Sequence, residues 1–393
     1  MLKQLKVGNY SVFSDATVNW APGINVIVGE NGTGKSQLMK LAYSVAWVSH
    51  EQSRSTRQTK EELQRKLADK LVGTCRPDYL GRLVSRQRGR NRCDVVMSFA
   101  DQADASIAFS FASNARSEVR LETAPTMYLA APPVFIPTRE MLSIFPGFTA
   151  AYEDRQLSFE ETYYDIAKAL NASAKKKHSA AVQAMIDDIE QLLDGHIKLE
   201  AGHFYLLPNK AGQGKIEIAL VAEGMRTLAM LAYLLINGAL RDRSTLFWDE
   251  PETNLNPKLI VLIAKALVAL AAQGMQIVLA THSLFLLREL NIQLADAAKT
   301  NTPVTANFIA LARQDDGTAT LCQSDTVDDL EPRCSKKTCA RLIVTWHRTE
   351  TNACRAFRTD CFRKSSISRR RATNCAAASN PLTRAPSLAL QPS

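Results

Sequence analysis

Eight consecutive residues, Gly29-Glu30-Asn31-Gly32-Thr33-Gly34-Lys35-Ser36, set glycines, a lysine and a hydroxyl at the spacing of a phosphate cradle. Glycines let successive backbone N–H groups converge on anionic oxygens, and a helix starting at the loop adds its partial positive charge. Lys35 is placed to reach the β- and γ-phosphates of a nucleoside triphosphate, and the Ser36 hydroxyl to ligate Mg²⁺. The cradle works only between a strand and a helix. Ile24-Asn25-Val26-Ile27-Val28 has the β-branched content of a buried strand, and Gln37-Leu38-Met39-Lys40-Leu41-Ala42 reads as the first turns of a helix. Gln37, next after the hydroxyl, joins the nucleotide-binding set.

Two further signals lie downstream. Thr245-Leu246-Phe247-Trp248-Asp249-Glu250 is an apolar strand ending in two acids. Asp249 suits the metal side of a nucleotide hydrolase, and Glu250, just past the strand end, is placed to accept a proton from attacking water. Ile277-Val278-Leu279-Ala280-Thr281-His282-Ser283 ends a second buried strand in a histidine that can sense or polarise a γ-phosphate. By itself such a histidine is more often a packed or capping residue.

The elements between these signals come next. Residues 1–48 read as two or three strands, the loop and a helix, followed by a charge-rich helix with flanking loops over Ser49–Arg65. Asp94–Phe99 and Ala105–Phe111 alternate as antiparallel strands, and Tyr128–Ile136 is an apolar run stopped by Pro137. Phe159–Leu193 has helical spacing over several turns, and Ile197–Leu207 and Ile216–Val221 read as paired strands. From Glu223 a long apolar helix, a strand at Thr245–Trp248, a helix at Leu259–Ala272 and a strand at Gln276–Ala280 alternate as in an α/β protein with parallel strands.

Composition sets outer limits. The 393 residues allow two or three domains, and 46% hydrophobic with 22% charged residues is ordinary for a soluble globular chain. No stretch approaches the ~20 uncharged apolar residues of a membrane span. The start, Met1-Leu2-Lys3-Gln4-Leu5-Lys6-Val7, enters a strand pattern at once with no signal peptide, so a cytoplasmic protein is expected. The net charge of +9 is unevenly spread. Residues 333–393 hold ten arginines and three lysines against Glu350 and Asp360, and five of the eight cysteines, so the rest of the chain is slightly acidic. That tail lacks sustained periodicity and any C-x-x-C pair. The break suggests a shifted coding frame near Glu331–Arg333, which translating the other two frames would decide; the alternative is a solvated basic tail that touches nucleic acid.

The order Gly29–Ser36, Asp249-Glu250-Pro251-Glu252, Thr281-His282-Ser283 resembles the ABC-type AAA family ATPase heads of the SMC, RecF and OLD group. Asn9-Tyr10-Ser11-Val12-Phe13 and Pro22-Gly23-Ile24-Asn25-Val26-Ile27-Val28 are similar to that group's first strands. The resemblance covers roughly 1–48 and 215–325 and implies an α/β P-loop NTPase fold: a mixed or parallel central sheet, an antiparallel β portion and a helical insertion. The implied division is an ATPase head over 1–332, its nucleotide-binding core in 1–48 and 215–325 and an inserted β and helical lobe in 49–214, with 333–393 apart. It further implies ATP and Mg²⁺ as ligands, His282 as the switch histidine, and Asn254-Leu255-Asn256-Pro257 as a loop that touches an opposite subunit.

Such heads complete their sites as dimers, with a signature segment at a helix N-terminus capping the γ-phosphate held by the other copy. Val221-Ala222-Glu223-Gly224-Met225-Arg226 is the candidate. It departs from Leu-Ser-Gly-Gly, with Ala222 in place of the serine and Glu223 in place of the first glycine, and Arg226 is available to add charge. Phe135-Ile136-Pro137-Thr138-Arg139-Glu140 corresponds to a metal-sensing loop but holds no glutamine. In the basic patch Arg82–Arg92, alternate arginines offer contacts to DNA phosphates or form a solvated hairpin edge. The expectation is an ATP-hydrolysing head in DNA metabolism or anti-phage defence, working with a separate effector protein and with no membrane. The rivals are a nucleotide-binding subunit of a membrane transporter and an ATP switch without turnover.

Overall fold

In a computed structural model of the chain, the residues described are 1–330, apart from 57–58, 86–90, 101, 155–156, 242, 301 and 328 and the side chains of 102–103. The basic tail and most of the arginine patch lie outside the described residues. In chain order the strands and helices are β1 (Leu2–Tyr10), β2 (Phe13–Asn19), β3 (Ile24–Gly29), α1 (Lys35–Arg54), α2 (Lys60–Cys75), β4 (Arg92–Phe99), β5 (Gln102–Ala112), β6 (Arg120–Thr123) and β7 (Val134–Ile136). There follow α3 (Phe148–Glu153), α4 (Glu161–Leu170), α5 (Ala180–Leu193), β8 (Gly195–Glu200), β9 (His203–Pro208), β10 (Ile216–Glu217) and α6 (Glu223–Ile236). The rest is β11 (Thr245–Asp249), α7 (Pro257–Ala272), β12 (Gln276–Thr281), α8 (Leu284–Lys299), β13 (Ala306–Arg313) and β14 (Ala319–Ser324).

Among the described residues the strands form three sheets. The largest runs β14-β13-β3-β12-β11-β7, parallel throughout except for β14. Every residue of β3, β11 and β12 is buried, as strands covered on both faces require. The chain is thus a mixed α/β protein. An antiparallel sheet, β2-β1-β4-β5-β6, and a smaller one, β10-β9-β8, complete it. Segment 49–214 supplies β7 to the parallel sheet and β4–β6 to the sheet begun by β1 and β2.

Helix α1 is the hub. It is buried on nearly all sides and shares one core with residues of both larger sheets, among them Val7, Phe109, Phe135 and Val278. The Tyr43 ring meets Phe135 edge-on at 5.1 Å and Phe247 at 5.6 Å, which fixes α1 over β7 and β11. Charged groups clamp α4 to the same helix. Lys40 pairs with Glu160, and the Tyr43 hydroxyl donates to Asp165 at 2.6 Å. Lys70 of α2, with a side chain 1% exposed, donates to Glu161 at 2.8 Å and Asp165 at 2.5 Å and stands 3.6 Å over the Trp47 ring. A buried lysine needs such a full set of partners.

Several boundaries differ from the sequence reading. The first helix runs on to Arg54, and the charge-rich helix begins later, at Lys60, where Thr59 accepts from the Glu62 N–H. Phe159–Leu193 divides into α4 and α5. The exposed Lys175-Lys176-Lys177 run interrupts the apolar face, and Ser179 caps a new helix. Only the last three residues of Tyr128–Ile136 form a strand, and β10 stops after Glu217 because a 3₁₀ turn takes Ile218–Leu220. No helix among the described residues is long and apolar enough to cross a membrane.

Candidate functional site

The octet connects β3 to α1 as the strand–loop–helix pattern demands. Gly34 sits at φ 93°, and a Cβ there would lie 2.7 Å from Val12 Cγ2 and 2.8 Å from Phe13 Cε2, so only glycine fits against the β1–β2 turn. The first helical bond runs from the Leu38 N–H to the Gly34 carbonyl. The N–H groups of Lys35, Ser36 and Gln37 therefore lie outside the helix ladder, free to meet an anion. Glu30, Asn31 and Gly32 are exposed, Thr33 is buried and donates to the Glu30 carbonyl at 2.8 Å, and Ser36 and Gln37 are half-buried.

Lys35 curls back over the loop. Its Nζ donates to the carbonyls of Gly29 at 2.8 Å and Glu30 at 3.2 Å. Burial lowers its pKa, while Glu250, Asp249 and Glu252, in that order, oppose the shift. The loop and the acidic strand end therefore share one electrostatic site.

Asp249 closes β11 and is hydrogen-bonded to Ser36. Burial first, then Glu250 and Glu160, push its carboxyl up to about 6 against the pull of Ser36 and Lys40. Its Oδ1 is buried without a hydrogen-bond partner. A serine hydroxyl beside an unsatisfied carboxylate oxygen is the hard-oxygen donor set that suits Mg²⁺. Glu250 follows in the left-handed region, φ 51°, with its N–H held by the Ala280 carbonyl at 2.8 Å. Strain of this kind gathers at functional sites. His282 Nδ1 lies 2.9 Å from Glu250 Oε1 and 3.8 Å from Glu252 Oε1.

Gly29–Gln37, Asp249, Glu250 and His282 thus surround one site. Ala222, Glu223, Gly224, Arg226 and Asn254 form a second group at the start of α6. Ala222 caps that helix with no side-chain bond, which leaves its first N–H groups open, and Leu220 just before it is 75% exposed. A Cβ on Gly224 would stand 2.8 Å from the Asn254 carbonyl, so the helix start and the loop after β11 touch within one chain. Asn254 itself is exposed at φ 61°. Arg226, expected to face phosphate, is engaged by Glu140: Nε lies 2.7 Å from Oε1, in an ion pair without linear hydrogen-bond geometry. It also donates to the Val221 carbonyl at 2.9 Å. A buried carboxylate on the loop after β7 draws the guanidinium inward.

Sequence reasoning gave Glu140 no firm role and Glu252 none. The signal for Glu252 was present, as an acid three residues past Asp249 and behind a proline. A cavity of about 1170 Å³ also escaped notice. Ser11 and Val12 of the β1–β2 turn, Gln37, Arg76, Arg82 and Arg313 line it. These come from five separate stretches, which no local pattern links.

Comparison with known proteins places the geometry in context. A protein-family model described as "AAA domain, putative AbiEii toxin, Type IV TA system" matches residues 76–288, which include Asp249, Glu250 and His282. The DNA replication and repair protein RecF of Limosilactobacillus fermentum is 33% identical over 58 residues, a stretch covering 15% of this chain and 16% of that protein. Among solved structures, an Smc head bound to the C-terminal winged-helix domain of ScpA is 13% identical over 84% of this chain and 99% of its own, with a TM-score of 0.49. The SMC head domain of Thermotoga maritima is 14% identical over 83% and 99%, with a TM-score of 0.42.

Proposed function

The chain belongs to that AAA domain family, and from this premise we propose that it is an ABC-type ATPase of the SMC/RecF-like group that binds and hydrolyses ATP as a head that dimerises around the nucleotide. The observation that carries the reading is the convergence of Lys35, Asp249, Glu250 and His282 at the mouth of one glycine loop. The free N–H groups of Lys35, Ser36 and Gln37 and the Lys35 ammonium hold the phosphates. The cavity beside Gln37 receives the nucleoside end. Ser36 and Asp249 would hold Mg²⁺, which when bound neutralises phosphate charge. Glu250 takes the proton of the attacking water, and His282 contacts the terminal phosphate.

Dimerisation rests on the second group. The open N-terminus of α6 and the exposed Leu220 and Asn254 suit a face that meets another copy's nucleotide. The family's description, which names a toxin of a type IV toxin–antitoxin system, supports a defence role through a partner protein, in the cytoplasm where ATP is supplied. Contact with DNA is part of the same proposal. The domain division stands with it: a head over 1–332, with its nucleotide core in 1–48 and 215–325.

The test is steady-state phosphate release by the purified chain with ATP and Mg²⁺, with and without DNA. Turnover that disappears in Lys35→Ala and falls by about 10²-fold or more in Glu250→Gln is expected. Nucleotide binding with no turnover in the wild-type chain would replace the hydrolase with a switch.

A further inference from the structure

Glu252 is the third acid around Lys35, and its surroundings single it out. Its side chain is 8% exposed. Oε1 accepts the Thr281 hydroxyl at 2.5 Å, and Oε2 is buried with no hydrogen-bond partner. Such a carboxylate is costly to bury and half-satisfied, so packing alone does not account for it. Thr281, itself fully buried, accepts the Ser283 N–H at 2.9 Å through the same hydroxyl oxygen. Residues 281–283 are therefore knotted to the loop after β11 through one threonine and one glutamate. His282 sits at the middle of that knot, its Nδ1 facing Glu250 Oε1 at 2.9 Å and Glu252 Oε1 at 3.8 Å.

Two carboxylates facing one ring nitrogen fix which nitrogen carries the proton. Nδ1–H donates to Glu250, so Nε2 is left on the opposite side of the ring. We infer that Glu252 is a positioning residue for His282: it fastens the turn that carries the imidazole through Thr281 and, beside Glu250, keeps Nδ1–H directed at the carboxylates, so that Nε2 faces the terminal phosphate and donates to it once the ring takes up a second proton from solvent. This rests on the ATPase reading of the same site. Glu252 acts through the orientation of the ring, which turnover senses more sharply than binding does.

The experiment is a double-mutant cycle between Glu252→Gln and His282→Ala, read as kcat and KM for ATP, with thermal melting as a fold control. Glutamine keeps the shape and an acceptor for Thr281 but removes the charge. Glu252→Gln is expected to lower kcat about tenfold to a hundredfold with KM little changed. In the His282→Ala background it should have no further effect. Losses that multiply in the double variant, or a Glu252→Gln variant with wild-type kcat, would overturn the proposal. Thr281→Val repeats the cycle if Glu252→Gln does not fold. A second readout needs no turnover: the ¹⁵N shifts of the His282 ring, assigned with His282→Ala. They should show Nδ1 protonated in the wild type and a mixed tautomer in Glu252→Gln; identical shifts would refute the role. A wild-type chain without ATP turnover would count against the ATPase reading, and the ring shifts would still decide this one.

Discussion

Nδ1 of His282 and Oε1 of Glu250 stand 2.9 Å apart, so the proposed base for the attacking water is hydrogen-bonded to the histidine proposed to read the terminal phosphate. One comes from the end of β11 and the other from the end of β12, parallel neighbours in the sheet. The register pairing Asp249 with Ala280 sets both at one edge. His282→Ala should therefore lower kcat by about 10²-fold, comparable to the loss of a catalytic proton-transfer partner, with a smaller effect on KM. A raised KM with kcat unchanged would show that His282 contributes to binding only.

The buried Asp249 carboxyl makes stability depend on pH. Its folded pKa, about 6, lies above the ordinary aspartate value of 3.8, so the folded state binds the proton more tightly than the unfolded chain does. Its contribution is most favourable below the unfolded value and is lost as pH rises through about 6. Without metal or nucleotide, Asp249→Asn should be more stable than the wild type at pH 8, by about 2–3 kcal/mol. That advantage should shrink below about pH 6 and vanish near pH 4. Urea titrations in a chelating buffer at several pH values check this, and an advantage constant with pH would refute it.

Gly34 has no room for a side chain. Gly34→Ala forces a left-handed alanine, at about 1–2 kcal/mol, into Val12 and Phe13. A lower melting temperature and loss of fluorescent ATP-analogue binding are expected. A variant that binds as the wild type does would mean that the loop is not the phosphate cradle.

The Arg226–Glu140 pair should be structural in the nucleotide-free state. Arg226→Ala leaves a carboxylate whose side chain is 3% exposed without its cation, at about 2–3 kcal/mol. Adding Glu140→Gln should recover much of that loss in urea unfolding. If the second substitution deepens the loss, the pair is not what holds the loop after β7 to α6.

The strand–loop–helix setting of the octet, the acidic strand end and the strand-end histidine were legible as local structure because each is a local pattern with its own period: a buried run of five or six residues followed by polar residues. The parallel sheet followed from the same runs. Less legible were features made by long-range contacts. Arg226 read as a spare charge because Glu140 is far from it in sequence. The break between α4 and α5 was hidden because apolar spacing resumes in phase after the lysine run. Strands β13 and β14 were unread, although β13 pairs with β3 and its neighbour β14 reaches β2 through Gln323, which donates to the Thr17 carbonyl at 2.8 Å. The cavity beside Gln37 is a product of tertiary assembly alone.

The most direct measurement is the mass of Glu250→Gln in solution, by sedimentation or light scattering, with and without ATP and Mg²⁺. The side-chain hydrogen bond of Glu250 goes to His282 and not to the phosphate loop, so its amide should leave binding intact and slow hydrolysis. The account predicts a species of twice the monomer mass with ATP and a monomer with ADP. A variant that stays monomeric with saturating ATP bound would contradict the claim that two copies of this chain complete the site.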